Sequence, residues 1–289
     1  MTARPYAPSD EGVRTLSSTG PPAQSFGPPR VTAKTVRVAG AELALFWIGA
    51  ASGERALLVW AHGWGHSHRN MLELAEAMRP VAPSVLLDLP GFGDSPPPPA
   101  PWGTADYADA IAEFLGMLPP GRRIWVGHSF GCRVGLQLAA RHPELVDGLF
   151  LIAAAGLQPR RPPWKRLRIG ARRLAFRLVR AMTPEGPARE RLRARFGSAD
   201  YRQAGPLRPI LVKVVSEDLS ETARAVRCPT LLLYGDGDRE TAPEIGERFN
   251  RLIPRSRLVV LRGFDHWSVL TEGRHQVVQR LSEFMEQEK

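Results

Sequence analysis

Along the chain, short and nearly continuous apolar runs alternate with longer stretches in which apolar positions recur at helical spacing. That alternation marks a sheet flanked by helices. The runs at 55–61, 84–88, 123–127, 148–153, 230–234 and 257–261 are dominated by Leu, Val, Ile and Trp. A strand that is apolar at almost every position is buried on both faces, as in a parallel sheet. The segments 34–38 and 41–47 flank Ala39-Gly40 instead, and read as an antiparallel hairpin closed by a tight turn. Amphipathic stretches at 70–78, 104–118, 132–141, 243–252 and 273–288 supply the crossover helices.

One interval breaks this rhythm. Between 157 and 227 lie about seventy residues, where a crossover needs only about a dozen, so the interval reads as an insertion with helices of its own. Within it Trp164, Leu167, Ala171, Leu174, Leu178 and Met182 fall at helical spacing, with Arg166, Arg172, Arg173, Arg177 and Arg180 on other faces. The first thirty residues hold six prolines and no apolar block, and read as a disordered tail rather than a signal peptide. The expected organisation is a tail (1–30), a core in two parts (31–156 and 228–289) and the insertion (157–227).

Charge sharpens this division. The chain carries 39 Lys and Arg against 29 Asp and Glu, a net +10. Residues 157–208 hold 15 basic and 3 acidic residues, a local +12, so the remainder sums to −2. The basic face of the insertion has three readings: a solvated outer surface, weak contact with an anionic membrane surface, or recognition of an anionic substrate or partner protein. Nucleic acid is not expected, because aromatic stacking platforms are missing from the basic run. No apolar stretch approaches the roughly 18 residues of a membrane span. Two cysteines, Cys132 and Cys228, exclude a disulfide framework and a four-thiolate zinc site, which suits a cytoplasmic chain.

The candidate chemistry begins at Gly127-His128-Ser129-Phe130-Gly131, set directly after one apolar run and before a helical stretch. A serine in such a strand-to-helix elbow projects its hydroxyl from the sheet, with small glycines letting strand and helix approach. The five-residue pattern is weak alone, so its companions decide. His62-Gly63-Trp64-Gly65 follows an earlier strand. A tetrahedral oxyanion needs two N–H donors, one after the nucleophile and one from such a loop, which here are Phe130 and Trp64. A serine also needs a base, and the base an orienting acid. His266 follows the last strand, while Asp236 and Asp238 both follow the strand ending at 234.

Together these features resemble the α/β-hydrolase superfamily. The resemblance covers about 31–288 and includes HGWG, the D-x-P-G-x-G-x-S stretch from Asp88 to Ser95, GHSFG, RHPELVDGLFLIAA, PTLLLYGDGD and GFDHW. It implies a mostly parallel eight-stranded sheet flanked by helices, with a helical lid at 157–227 that shapes the substrate pocket. It also implies the chain order Ser129, Asp238, His266, since the family's G-x-x-D pattern ends on Asp238. Asp265 then becomes a solvent-facing neighbour of His266, His128 packs behind the elbow, and the 88–95 loop is a structural turn. A serine at the elbow, where related epoxide hydrolases and dehalogenases carry aspartate, implies acyl transfer to a small-molecule acyl substrate, above all an ester. Two other activities fit the same triad: a carbon–carbon hydrolase or lyase-type synthase, which would need an arginine beside the serine, and a slow-turnover ligand receptor. No cofactor is expected. No metal is expected either, since His62, His66 and His68 lack carboxylates or thiolates at ligand spacing.

Overall fold

The computed structural model describes residues 31–49, 55–158 and 199–287. Its first element is the expected hairpin: β1 (Thr32–Val38) and β2 (Ala41–Ile48) pair antiparallel around Ala39-Gly40. The continuous runs become β3 (Leu57–Ala61), β4 (Ser84–Asp88), β5 (Arg123–His128), β6 (Gly148–Ile152), β7 (Thr230–Gly235) and β8 (Ser256–Leu261). All eight form one sheet in the order β1-β2-β4-β3-β5-β6-β7-β8, antiparallel as far as β2·β4 and parallel from there to β8.

The sheet is covered on both faces, which is why its inner strands are apolar at most positions. Alternate side chains of each strand feed the two layers. Val59, Trp125, Leu149 and Leu232 pack on one side with α2 (Thr104–Gly116), α3 (Phe130–Arg141) and Phe249. Trp60, Ile124, Phe150 and Leu231 pack on the other with α1 (Leu72–Met78) and Phe284. Each large side chain buried this way contributes about 1.5–3 kcal/mol. Strand β8 departs from the expectation of two buried faces. It closes the sheet as an edge, and its residues are mostly half-buried or exposed.

Two helix starts also differ from the periodicity. The stretch at 70–78 begins as a 3-10 turn at His68–Asn70, held by the Asn70 side chain accepting the Ser67 N–H, and becomes α1 only at Leu72. Helix α3 starts at Phe130 rather than 132, because Ser129 is itself its N-cap.

Between β6 and β7 the described part of the insertion contains α4 (Ala199–Gln203), α5 (Arg208–Ser216) and α6 (Ser220–Ala225). Ile210, Val214, Leu219 and Ala223 are buried against the main core. The tail, the Trp164-to-Met182 face and its arginines lie outside the described residues. After β7 the chain continues through α7 (Pro243–Leu252) to β8 and α8 (Arg274–Gln287). Among the described residues no helix is long and apolar enough to cross a membrane. Both cysteines are free thiols, Cys132 buried and Cys228 half-buried.

Candidate active site

Ser129 stands between β5 and α3 with φ 48° and ψ −102°, a left-handed backbone that a non-glycine residue adopts at a cost of order 1–3 kcal/mol. The surroundings hold it there. The Ser129 N–H donates to the Ile152 carbonyl (3.0 Å) and the Gly131 N–H to the His62 carbonyl (3.0 Å). A Cβ on Gly131 would sit 2.2 Å from the Ala61 carbonyl oxygen, so only glycine lets α3 approach the end of β3 this closely.

The loop after β3 lies against this elbow. His62, fully buried, donates from Nδ1 to the Gly63 carbonyl (2.7 Å) and accepts the Leu89 N–H at Nε2 (3.1 Å). Trp64 packs edge-on against Phe92 (4.9 Å) and Phe130 (5.5 Å). Neither the Trp64 nor the Phe130 amide N–H has an acceptor among the described residues, which leaves both donors available to a ligand oxygen.

His266 and Asp238 come together from the loops after β8 and β7. His266 Nδ1–H donates to Asp238 Oδ2 at 2.8 Å, and both side chains are almost wholly buried. Asp238 Oδ1 takes the backbone N–H groups of Glu240 and Thr241 (2.8 Å each), while Thr241 Oγ1 lies 2.8 Å from Oδ2. Burial pushes the Asp238 carboxyl up, but the His266 hydrogen bond and charge and the Thr241 donors outweigh it and hold the group below its ordinary range. The other acid considered for this place, Asp236, is exposed and accepts the Gly263 N–H (2.7 Å). Asp265 is also exposed, and its Oδ1 accepts the Trp267 and Ser268 N–H groups.

Ser129, Trp64, His66, Glu240, His266 and Trp267 line one cleft of about 390 Å³. Sequence reasoning missed two neighbours of this pair. Thr241 supports the Asp238 carboxylate, and Glu240 Oε2 lies 3.7 Å from His266 Nε2. The D-x-x-T spacing of Asp238 and Thr241, which suits a carboxylate-capped turn, was the available signal for the first. Of the three clustered histidines, His62 is tied to backbone, His68 Nδ1 sits 3.0 Å from both Asp88 carboxylate oxygens, and His66 packs on Trp267 at 4.1 Å.

His128 is buried behind the elbow and donates from Nε2 to the His266 carbonyl (3.0 Å), leaving Nδ1 without a partner among the described residues. Burial, with the nearby His266 charge, lowers its pKa to about 3, and burial lowers that of His62 to about 4, against 6.5 for each in an open chain. The unfolded chain therefore binds more protons than the folded one between about pH 6.5 and 4. Stability should fall as pH drops through that window, and the fall should be shallower in His128→Gln. Thermal unfolding at pH 7 and 4.5 measures both, and an unchanged slope in the variant would contradict the assignment.

Residues 58–280 match the model of an alpha/beta hydrolase family. The chain is 25% identical over 262 residues to the pimeloyl-[acyl-carrier protein] methyl ester esterase of Vibrio cholerae, covering 84% of this chain and 98% of that protein. It is 32% identical over 123 residues to the biotin biosynthesis bifunctional protein BioHC of Teredinibacter turnerae, a match covering 38% of this chain and only 21% of that protein. Among solved structures, a membrane phospholipase A described as a bacterial virulence factor superposes with a TM-score of 0.69 at 26% identity, over 89% of this chain and 86% of that one. Fold, motifs and relatives agree, and the chain belongs to the alpha/beta hydrolase family.

Proposed function

We propose that this protein is a serine hydrolase that cleaves a carboxylic ester or related acyl bond through an acyl-enzyme on Ser129. The observation that carries the reading is the His266–Asp238 pair, bonded at 2.8 Å, whose histidine lines the same cleft as Ser129. With Nδ1 committed to Asp238, His266 presents Nε2 as the base. Nε2 takes the Ser129 hydroxyl proton as Oγ attacks the acyl carbon. The Trp64 and Phe130 N–H groups receive the oxyanion, each worth about 3 kcal/mol of transition-state stabilisation. Protonated His266 then gives its proton to the leaving oxygen, the C–O bond breaks, and a water deprotonated by the same nitrogen hydrolyses the ester on Ser129. The esterase and phospholipase relatives favour an ester over other acyl bonds.

The test is hydrolysis of p-nitrophenyl esters from acetate to laurate, with covalent capture of Ser129 by a fluorophosphonate located by mass spectrometry. Turnover that disappears in Ser129→Ala is expected, with a chain-length profile that sizes the acyl pocket. Capture at Ser129 without turnover would move the assignment to carbon–carbon cleavage or to ligand reception.

A further inference from the structure

Among the described residues, the carboxylate nearest the proton-transferring nitrogen, after the one that orients the ring, is Glu240. Its Oε2 lies 3.7 Å from His266 Nε2, and its side chain is 60% exposed where His266 is 4% exposed. The Glu240 N–H donates to Asp238 Oδ1 (2.8 Å), so the residue is rooted in the same turn that orients the base. Among the described residues lining the Ser129 cleft, Glu240 is the only carboxylate, and none is Lys or Arg. Trp64 and Trp267 supply aromatic wall. The adjoining depression, also bounded by Glu240, His266 and Trp267, adds one charge of each sign, Arg239 and Asp265, which offset each other.

On the serine-hydrolase reading, on which this inference rests, His266 Nε2 hands its proton to the departing oxygen. The alcohol half of the ester must therefore leave past Glu240. We propose that Glu240 selects substrates by the charge of their leaving group, favouring an alcohol that carries a cation and rejecting one that carries an anion. A fixed negative charge attracts a cation and repels an anion at this range, and the electron-rich faces of tryptophan act with the same sign. Because Glu240 is partly exposed, the effect is about tenfold and is screened by salt.

The experiment compares kcat/KM for three acetate esters of matched shape, whose alcohols end in trimethylammonium, tert-butyl or dimethylcarboxylate. The full chain is used, with acid release followed by pH-stat. The wild-type protein is expected to prefer the cationic ester over the neutral one by about tenfold and the neutral over the anionic by a similar factor. Glu240→Gln should bring both ratios to within about twofold, Glu240→Lys should invert the order, and 1 M salt should compress the wild-type ratios. Wild-type ratios near one, ratios insensitive to salt, or ratios that persist in Glu240→Gln would overturn the proposal. So would an equal loss on all three esters, which is the signature of a purely structural role. If the wild-type protein fails even on the neutral ester, the serine-hydrolase reading falls and this proposal with it. Failure confined to the ratios leaves that reading standing.

Discussion

His266→Ala is expected to lower kcat/KM for p-nitrophenyl butyrate by about 10⁴- to 10⁶-fold, Ser129→Ala by a similar factor, and the double variant no further than either alone. The reason is chemical coupling. A serine hydroxyl without its base is close to a spectator, and the base without the hydroxyl has no proton to take, so each change removes the same unit. What remains is catalysis by the Trp64 and Phe130 N–H groups and by binding. Asp238→Asn should cost about 10⁴-fold, because an amide nitrogen facing His266 Nδ1 favours the tautomer whose Nε2 carries the proton. Asp236→Asn should stay within about threefold, since that carboxylate is exposed and bonded to the Gly263 N–H. Steady-state kinetics on the four single variants and the double decide the matter. Multiplicative losses in the double variant, or a larger effect at Asp236 than at Asp238, would break the assignment.

The contrast between the two aspartates shows where sequence reasoning stops. Both follow β7 and stand two residues apart in a turn, and no periodicity separates them. The family's spacing favours Asp238. The structure adds the cause: the turn closes on Asp238 Oδ1 through the Glu240 and Thr241 N–H groups, which leaves Oδ2 facing His266. Strands were legible wherever burial was two-sided, as in β3 to β7, because most positions then had to be apolar. At β8 the strand was legible but its exposure was not, because position in the sheet rather than composition sets it. Legibility failed at Glu240, which looks like any surface carboxylate until the fold sets it against a histidine 26 residues later in the chain.

Asp88→Ala is expected to destabilise the protein by about 3–5 kcal/mol and to lower Tm by about 10 °C, although the residue lines neither part of the cleft. Asp88 ends β4 with no exposed surface, and its carboxylate accepts the His68 N–H (2.5 Å), the His68 Nδ1–H (3.0 Å) and the Asp94 N–H (2.8 Å). The 88–95 loop wraps so tightly that a Cβ on Gly93, where φ is 55°, would fall 2.0 Å from Oδ2. The Asp88 carbonyl accepts the Ser95 hydroxyl (2.5 Å), which in turn takes the Ala44 N–H of β2 (2.8 Å). Phe46 stacks on the His68 ring at 3.4 Å. One buried carboxylate thus joins β4, the loop carrying His68 and its own turn, and alanine would take the shared acceptor away from three donors. Asp88→Asn, which keeps an acceptor oxygen, should lose about half as much. Because the residue acts on the scaffold, kcat/KM of folded Asp88→Ala at 25 °C should fall by less than tenfold while Tm falls sharply. Thermal unfolding followed by circular dichroism, with kinetics on the same preparation, tests both halves. A Tm shift under about 3 °C, or a loss of activity as deep as that of His266→Ala in a protein that stays folded, would show that the turn is not the structural clamp its hydrogen bonds describe.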